Sequence, residues 1–421
     1  MTDRIILLKK NKVIGSSCYF FIVYALFFLT GSNNEFRNYI LISLLFLWTV
    51  VASVEDPKSF STAIGGKETK YLFLFLGYYF FTSILESDFL YTMTYIGVYI
   101  MIYTSYVQSI YYFNRGNYNE ISIIVRYSIL GWIILSIASI AFYMVNPSAA
   151  RMLAADFNAF DNLYIGGGYA IAFGSALLLV YLVSLVCSEK LSKKYNVYAL
   201  LCVCMLYFLL IKTESTTTVI ASSVGCLYCV YERMKNSKYK MFFYILFILF
   251  LLFIVSGGLE SVLSYVSSST DVESENLYSR RFNRIGEKLL SFGSNSTSTE
   301  DNYVDERWGL VVESFNTFLE NPIFGIGYKV GNVFAKLEGI GIGTHSEICD
   351  LLAQFGIFGS FFFYRFFITA YRRVNMGVVN KGIVITLFIM VLMNPFHYFH
   401  GFYVLFLLIP MIRTLTLHNQ K

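Results

Sequence analysis

The chain is predicted to be an all-α integral membrane protein with about 12 transmembrane helices, and three observations predict it. Of its 421 residues, 56% are hydrophobic and only 14% are charged, well below the charge content of about a quarter found in soluble domains. The apolar residues come in runs that can be measured against a bilayer, which asks for about 20 per crossing. Lysines and arginines collect in alternate short loops, the asymmetry that sets orientation in a membrane.

In chain order the runs lie near Val13 to Gly31, Tyr39 to Val54, Tyr71 to Leu85, Phe89 to Phe113, Ile121 to Val145 and Tyr164 to Cys187. They continue near Tyr195 to Ile211, Ser215 to Tyr231, Met241 to Ser256, Leu351 to Tyr371, Gly382 to Met393 and Phe402 to Ile412. Arg4, Lys9, Lys10 and Lys12 precede the first run without a small-residue cleavage site after it, so it reads as a retained span. Lys58, Lys67 and Lys70, then Lys190, Lys193 and Lys194, then Arg233, Lys235, Lys238 and Lys240, then Arg372, Arg373 and Lys381 fall on the side of the N-terminus. Both termini are therefore expected in the cytoplasm. The opposite short loops hold Arg37, Arg151 and Lys212, with acids such as Glu86 and Asp88.

Three regions follow: a membrane region over 1–256 with about nine spans, an extracytoplasmic loop over 257–344, and a membrane region over 345–421 with about three spans. The loop far exceeds the usual connection of about 4 to 6 residues, which marks it as functional, disordered or both. Ser267 to Thr270 and Ser291 to Thr299 are rich in serine and threonine, as mobile sequence is. Asp305 to Glu320 instead carries Trp308, Val311, Val312, Phe315 and Leu319 at helical spacing, an amphipathic helix stopped by Asn321 and Pro322. Its apolar face is expected either to pack on the membrane domain or to lie in the outer interface.

Thr344-His345-Ser346-Glu347 matches the S/T-x-x-E capping box, which predicts Thr344 as the N-cap, Glu347 as the third helical residue and His345 in the first turn. A helix N-terminus disfavours the imidazolium, so the ring is expected to be neutral and able to accept a proton. The alternative is a histidine that only hydrogen-bonds within the turn. Arg151, Arg280, Arg281, Arg284 and Arg307 share the outer side with it, and a guanidinium fork suits phosphate oxygens. Loop arginines paired with nearby carboxylates are the plainer reading of any one of them. His397 and His400 occupy the last outer turn, where a role close to His345, alongside Glu347, is favoured over a zinc site.

No metal or other cofactor is expected: Glu86 and Asp88 are the only compact early pair of acids, and Glu300, Asp301, Asp305 and Glu306 read as a solvated run. Cys18, Cys187, Cys202, Cys204, Cys226 and Cys229 fall in spans, where cysteine packs as a small hydrophobe, while Cys349 lies beside the histidine. The glycines of Gly325-Ile326-Gly327 and Gly339 to Gly343 follow no phosphate-binding pattern and read as tight turns and close backbone approach. Dispersed basic residues argue against nucleic acid as a partner.

Arg307, the helix after it, Asn321-Pro322-Ile323-Phe324-Gly325-Ile326-Gly327, His345, and Leu351-Leu352-Ala353-Gln354-Phe355-Gly356-Ile357-Phe358-Gly359 together resemble the O-antigen polymerase and ligase superfamily of bacterial membrane glycosyltransferases. Ser346 stands where the family often has asparagine, and Thr213-Glu214-Ser215-Thr216 lacks the arginine that often follows the seventh span. The resemblance implies a GT-C-like fold and metal-independent transfer of a glycan from an undecaprenyl-diphosphate carrier on the outer face of the cytoplasmic (inner) membrane. It implies His345 as the base, Arg307 with Arg280 and Arg281 on the diphosphate, and Arg151 there or on the acceptor's diphosphate. Partners implied are the lipid-linked oligosaccharide, membrane lipid, a chain-length regulator and a flippase. A polymerase is favoured over a ligase that would act on lipid A-core; a flippase or transporter of lipid-linked sugar is the reading from another class.

Overall fold

The computed structural model describes residues 13–30, 35–84, 89–146, 149, 168–188, 192–213, 215–234, 302–327, 342–343, 345–377, 379–394 and 399–418. Among them there are helices and no strand, as expected of an all-α membrane protein. The first nine are α1 (Ser16–Thr30), α2 (Glu35–Glu55), α3 (Pro57–Ile64), α4 (Lys67–Ile84), α5 (Phe89–Arg115), α6 (Tyr118–Val145), α7 (Gly168–Cys187), α8 (Lys193–Lys212) and α9 (Thr216–Met234). Then come α10 (Asn302–Glu320), α11 (Glu347–Val374), α12 (Lys381–Met393), α13 (Phe399–Tyr403) and α14 (Ile409–His418), the last two joined by a π-helical turn, Val404–Leu408.

Among the described residues, five helical runs are long and apolar enough to cross a membrane: α6, α7, α8, α11 and the stretch His400–His418; α2 with α3 makes a sixth if the bent pair is one span. The expected run Met241 to Ser256 lies outside the described residues. The break between α2 and α3 bends the chain by 120°. Asp56 caps α3 by accepting from the Ser59 N–H at 3.0 Å, and Pro57 opens the helix with the φ that its ring fixes.

The π-helical turn Val404–Leu408 is wholly buried and packs against α5, α7 and α11 at the centre of the bundle. α8 by contrast exposes Tyr195, Val197, Tyr198, Leu200 and Leu201, as a helix facing lipid does. Cys204 is exposed on that helix, unlike the buried Cys18 and Cys229, so not every cysteine packs inside; all seven are free thiols. α9 and α12 cross where Gly225 meets Gly382, and a Cβ on either would stand 3.0 Å from the other's carbonyl oxygen. Small residues at such crossings let van der Waals packing hold helices that have no hydrophobic drive to associate in lipid.

One end of the bundle is tied by ion pairs. Arg115 binds Glu120 through two guanidinium nitrogens at 2.8 and 3.0 Å and reaches Glu55 at 2.9 Å. The same two carboxylates accept the N–H groups of Gly15 and Ser17 at the start of α1, both at 2.9 Å. Arg373, near the end of α11, donates to Glu68, to the Tyr106 hydroxyl and to the Thr62 carbonyl. The positive segments 58–70 and 372–373 therefore share one end of the molecule.

α10 begins at Asn302, three residues before the expected start. Its packing face carries the buried Ser314 and Thr317, while Val312, Phe315 and Leu319 point outward. The apolar stripe of this helix is thus left exposed by the described helices, and its polar side is the one that packs.

α11 differs most from its expected form, because the continuous apolar helix is broken at Gly356, whose φ of 60° and ψ of −168° only glycine readily adopts. A break frees backbone groups, and in an apolar surrounding each must find a partner. Unbroken, the Ile357 and Phe358 N–H groups would donate to the Ala353 and Gln354 carbonyls. Instead they donate to Pro322 at 2.8 Å and Ile323 at 3.1 Å, and the two abandoned carbonyls accept from Ile326 and Gly327, both at 3.0 Å. The turn Asn321–Gly327 thus replaces both lost helical bonds. Gly325, at φ 71°, faces Gly356 so closely that a Cβ on it would lie 2.5 Å from the Gly356 nitrogen. Tyr78 of α4 closes the arrangement by donating to the Phe324 carbonyl at 2.6 Å.

Candidate functional site

α11 starts one residue after Ser346, whose hydroxyl accepts from the Cys349 N–H at 3.4 Å. Ser346 is therefore the N-cap where Thr344, which lies outside the described residues, was expected, and Glu347 is the first residue of the helix rather than its third. His345 precedes the cap instead of lying in the first turn. The physical reason is Asp350. One of its oxygens accepts the Ser346 N–H at 3.1 Å, the reciprocal contact that a glutamate at the third position would have made with Thr344.

The other Asp350 oxygen accepts the Ser314 hydroxyl from α10 at 2.6 Å, and Ser314 in turn accepts the Gly343 N–H at 2.8 Å. Gly343 lies against the α10 backbone, where a Cβ would stand 2.7 Å from the Leu310 Cα. Its carbonyl is 2.9 Å from His345 Nδ1. The segment that carries His345 is consequently anchored before the ring, through Gly343, and after it, through Ser346. Both anchors end on one buried carboxylate.

A carbonyl oxygen only accepts, so a neutral ring in this contact carries its hydrogen on Nδ1, an assignment that follows from the partner. Nε2 then holds the lone pair, the form required of a proton acceptor. The ring is half-buried. Beside it Glu347 is buried, with its N–H donating to the Asn394 carbonyl at 3.3 Å. The side-chain nitrogen of Asn394 is enclosed and has no hydrogen-bond partner among the described residues.

His400 lies in an aromatic setting, stacked on Phe28 at 4.8 Å and edge-on to Trp132 at 6.1 Å. Arg307 belongs to α10, but its side chain, together with Arg151, Arg280, Arg281, Arg284 and His397, lies outside the described residues. Among the described residues no three His, Cys, Asp or Glu side chains are grouped to hold a metal ion.

Sequence reasoning missed Ser314, Asp350 and Asn394. Ser314 and Thr317 sit three apart on the polar side of an amphipathic pattern, which reads as a solvated face. Asp350 reads as an acid complementing the helix dipole, and its serine partner is 36 residues away. An acid directly before a long, mainly apolar run was the signal available, since such a carboxylate needs a partner.

No curated protein matches the chain. Residues 200–364 match the family model described as O-antigen ligase, a stretch that starts in α8, takes in α10 and the Asn321–Gly327 turn, and ends at Tyr364 within α11. The match includes His345 and its anchors, and it is consistent with a member of the O-antigen polymerase and ligase superfamily.

Proposed function

We propose that the protein polymerises a polysaccharide such as O-antigen or capsule on the outer face of the cytoplasmic membrane. The growing glycan passes from undecaprenyl diphosphate to a sugar hydroxyl of another lipid-linked repeat unit. A bond forms between the acceptor oxygen and the anomeric carbon, and the bond from that carbon to the diphosphate oxygen breaks. His345 Nε2 takes the hydroxyl proton, and undecaprenyl diphosphate leaves with the negative charge. Arg307, Arg280 and Arg281, with Arg284 nearby, stabilise that charge, and Arg151 binds the same diphosphate or the acceptor's. No metal is required, because the leaving group is already a good one.

The observation that carries this reading is the coincidence of the family match with a half-buried histidine held by Nδ1 on a carbonyl. In a strain making normal protein levels, His345→Ala is expected to abolish long polymer on a gel of surface glycan. Wild-type chain lengths from that variant would sink the assignment.

A second reading is favoured by the description of the matching family, O-antigen ligase. A ligase would use the same carrier and the same base with lipid A-core as acceptor. A deletion strain separates the two: core capped by single units marks a polymerase, whereas unligated polymer marks a ligase. A flippase is disfavoured, since broken transporter helices use their freed backbone groups to bind cargo. The groups freed at Gly356 are taken by Pro322, Ile323, Ile326 and Gly327.

A further inference from the structure

We infer that Asp350 is the residue that positions His345, acting from α11 through Ser314 of α10. This inference rests on the reading of His345 as the base. A proton acceptor must be held against a hydroxyl that arrives by diffusion, and misplacement of about 1 Å can cost about 100-fold in rate. His345 precedes the helix, so helical geometry does not fix its backbone.

Asp350 supplies what the helix does not. It accepts the Ser346 N–H directly, one residue after the histidine, and it orients the Ser314 hydroxyl so that a lone pair meets the Gly343 N–H, two residues before it. Ser314 is fully buried and Asp350 nearly so, which removes water as a competitor for these bonds. The Gly343 carbonyl then sets the orientation of the ring through Nδ1. α10, remote in sequence, becomes part of the device that aims Nε2.

Position and charge can be separated by substitution. In Asp350→Asn the amide oxygen still accepts from Ser346, and the amide nitrogen can donate to Ser314, whose oxygen accepts two hydrogen bonds. Both anchors survive without the charge. Asp350→Ala removes the Ser346 anchor and the acceptor that orients Ser314, whereas Ser314→Ala removes only the Gly343 anchor.

The test is turnover of purified full-length protein in lipid nanodiscs with a lipid-linked repeat unit. Asp350→Ala is expected to lower kcat about 100-fold with KM within about twofold of wild type, Ser314→Ala to lower it about 10-fold, and Asp350→Asn to stay within about fivefold. Wild-type kcat in folded Asp350→Ala overturns the inference, as does an Asp350→Asn loss equal to that of Asp350→Ala. If Asp350→Ala does not fold, Ser314→Ala decides alone, and wild-type kcat there overturns it. Wild-type turnover in His345→Ala overturns the base assignment instead, whatever Asp350 does.

Discussion

Two arrangements, one inside α11 and one at its start, are held by different means. Around Gly356 the partners are main-chain groups, four hydrogen bonds exchanged with the Asn321–Gly327 turn. Around His345 they run through two side chains, Ser314 and Asp350. A backbone interlock depends on which residues permit the fold of the chain, whereas a side-chain clamp depends on which functional groups are present. The first should therefore fail as structure, and the second as chemistry.

The largest effect is expected from Gly356→Ala. A Cβ there would lie 2.6 Å from the Gly325 nitrogen, and alanine does not tolerate the backbone angles. Backbone strain and clash together cost about 3 kcal/mol or more, enough to remove most folded protein. The yield of monodisperse protein in detergent measures it; wild-type yield and melting temperature would mean that the break is not needed for the fold.

Next comes Asp350→Ala, which leaves the Ser314 hydroxyl and the Ser346 N–H without their acceptor, at about 1–3 kcal/mol. The drop in melting temperature should be smaller than for Gly356→Ala, while activity falls more than stability explains. A variant that melts earlier but turns over normally would make the clamp merely structural.

Tyr78→Phe removes a side-chain bond to the interlock, and hydrogen bonds within membrane proteins average about 0.6 kcal/mol. A shift in melting temperature of a few degrees at most is expected; loss of folded protein would show that α4, not the turn, holds the break. The smallest effect is expected for Ile323→Ala, because that side chain is 60% exposed and the residue's contribution is its carbonyl. Stability within about 0.5 kcal/mol of wild type fits an outward-facing substitution. A large loss would contradict the main-chain account of the turn.

The same contrast explains what was legible in the sequence. Apolar runs and local stop signals are short-range, so α5, α6, α8 and α12 fall close to their expected runs, and α10 ends at Glu320 where Asn321 and Pro322 predict. The Asp56-Pro57 start of α3 is also written locally, as a capping residue followed by proline, within the short basic segment that joins two apolar runs. Gly356 was not legible as a break, since an isolated glycine is tolerated in a helical pattern and its compensation comes from about 30 residues upstream. The capping box misled for a related reason: Thr344-x-x-Glu347 is a good local match, but Asp350 offers the Ser346 N–H a better acceptor and Ser314 a buried one. The resemblance to the superfamily was legible because its motifs gather where the chain must turn tightly. The arginines proposed for the diphosphate were legible as charges alone.

The interlock also sets an order of events in biosynthesis. Chains emerge N-terminus first, so the Asn321–Gly327 turn is synthesised before the helix whose break it completes. Gly356 therefore leaves the ribosome with its partner already made upstream. A chain in which the turn was delayed would present α11 with a different choice, a straight helix bonded only to itself. The native break therefore needs both segments in place, because until the turn meets it the helix has only its own carbonyls to bond.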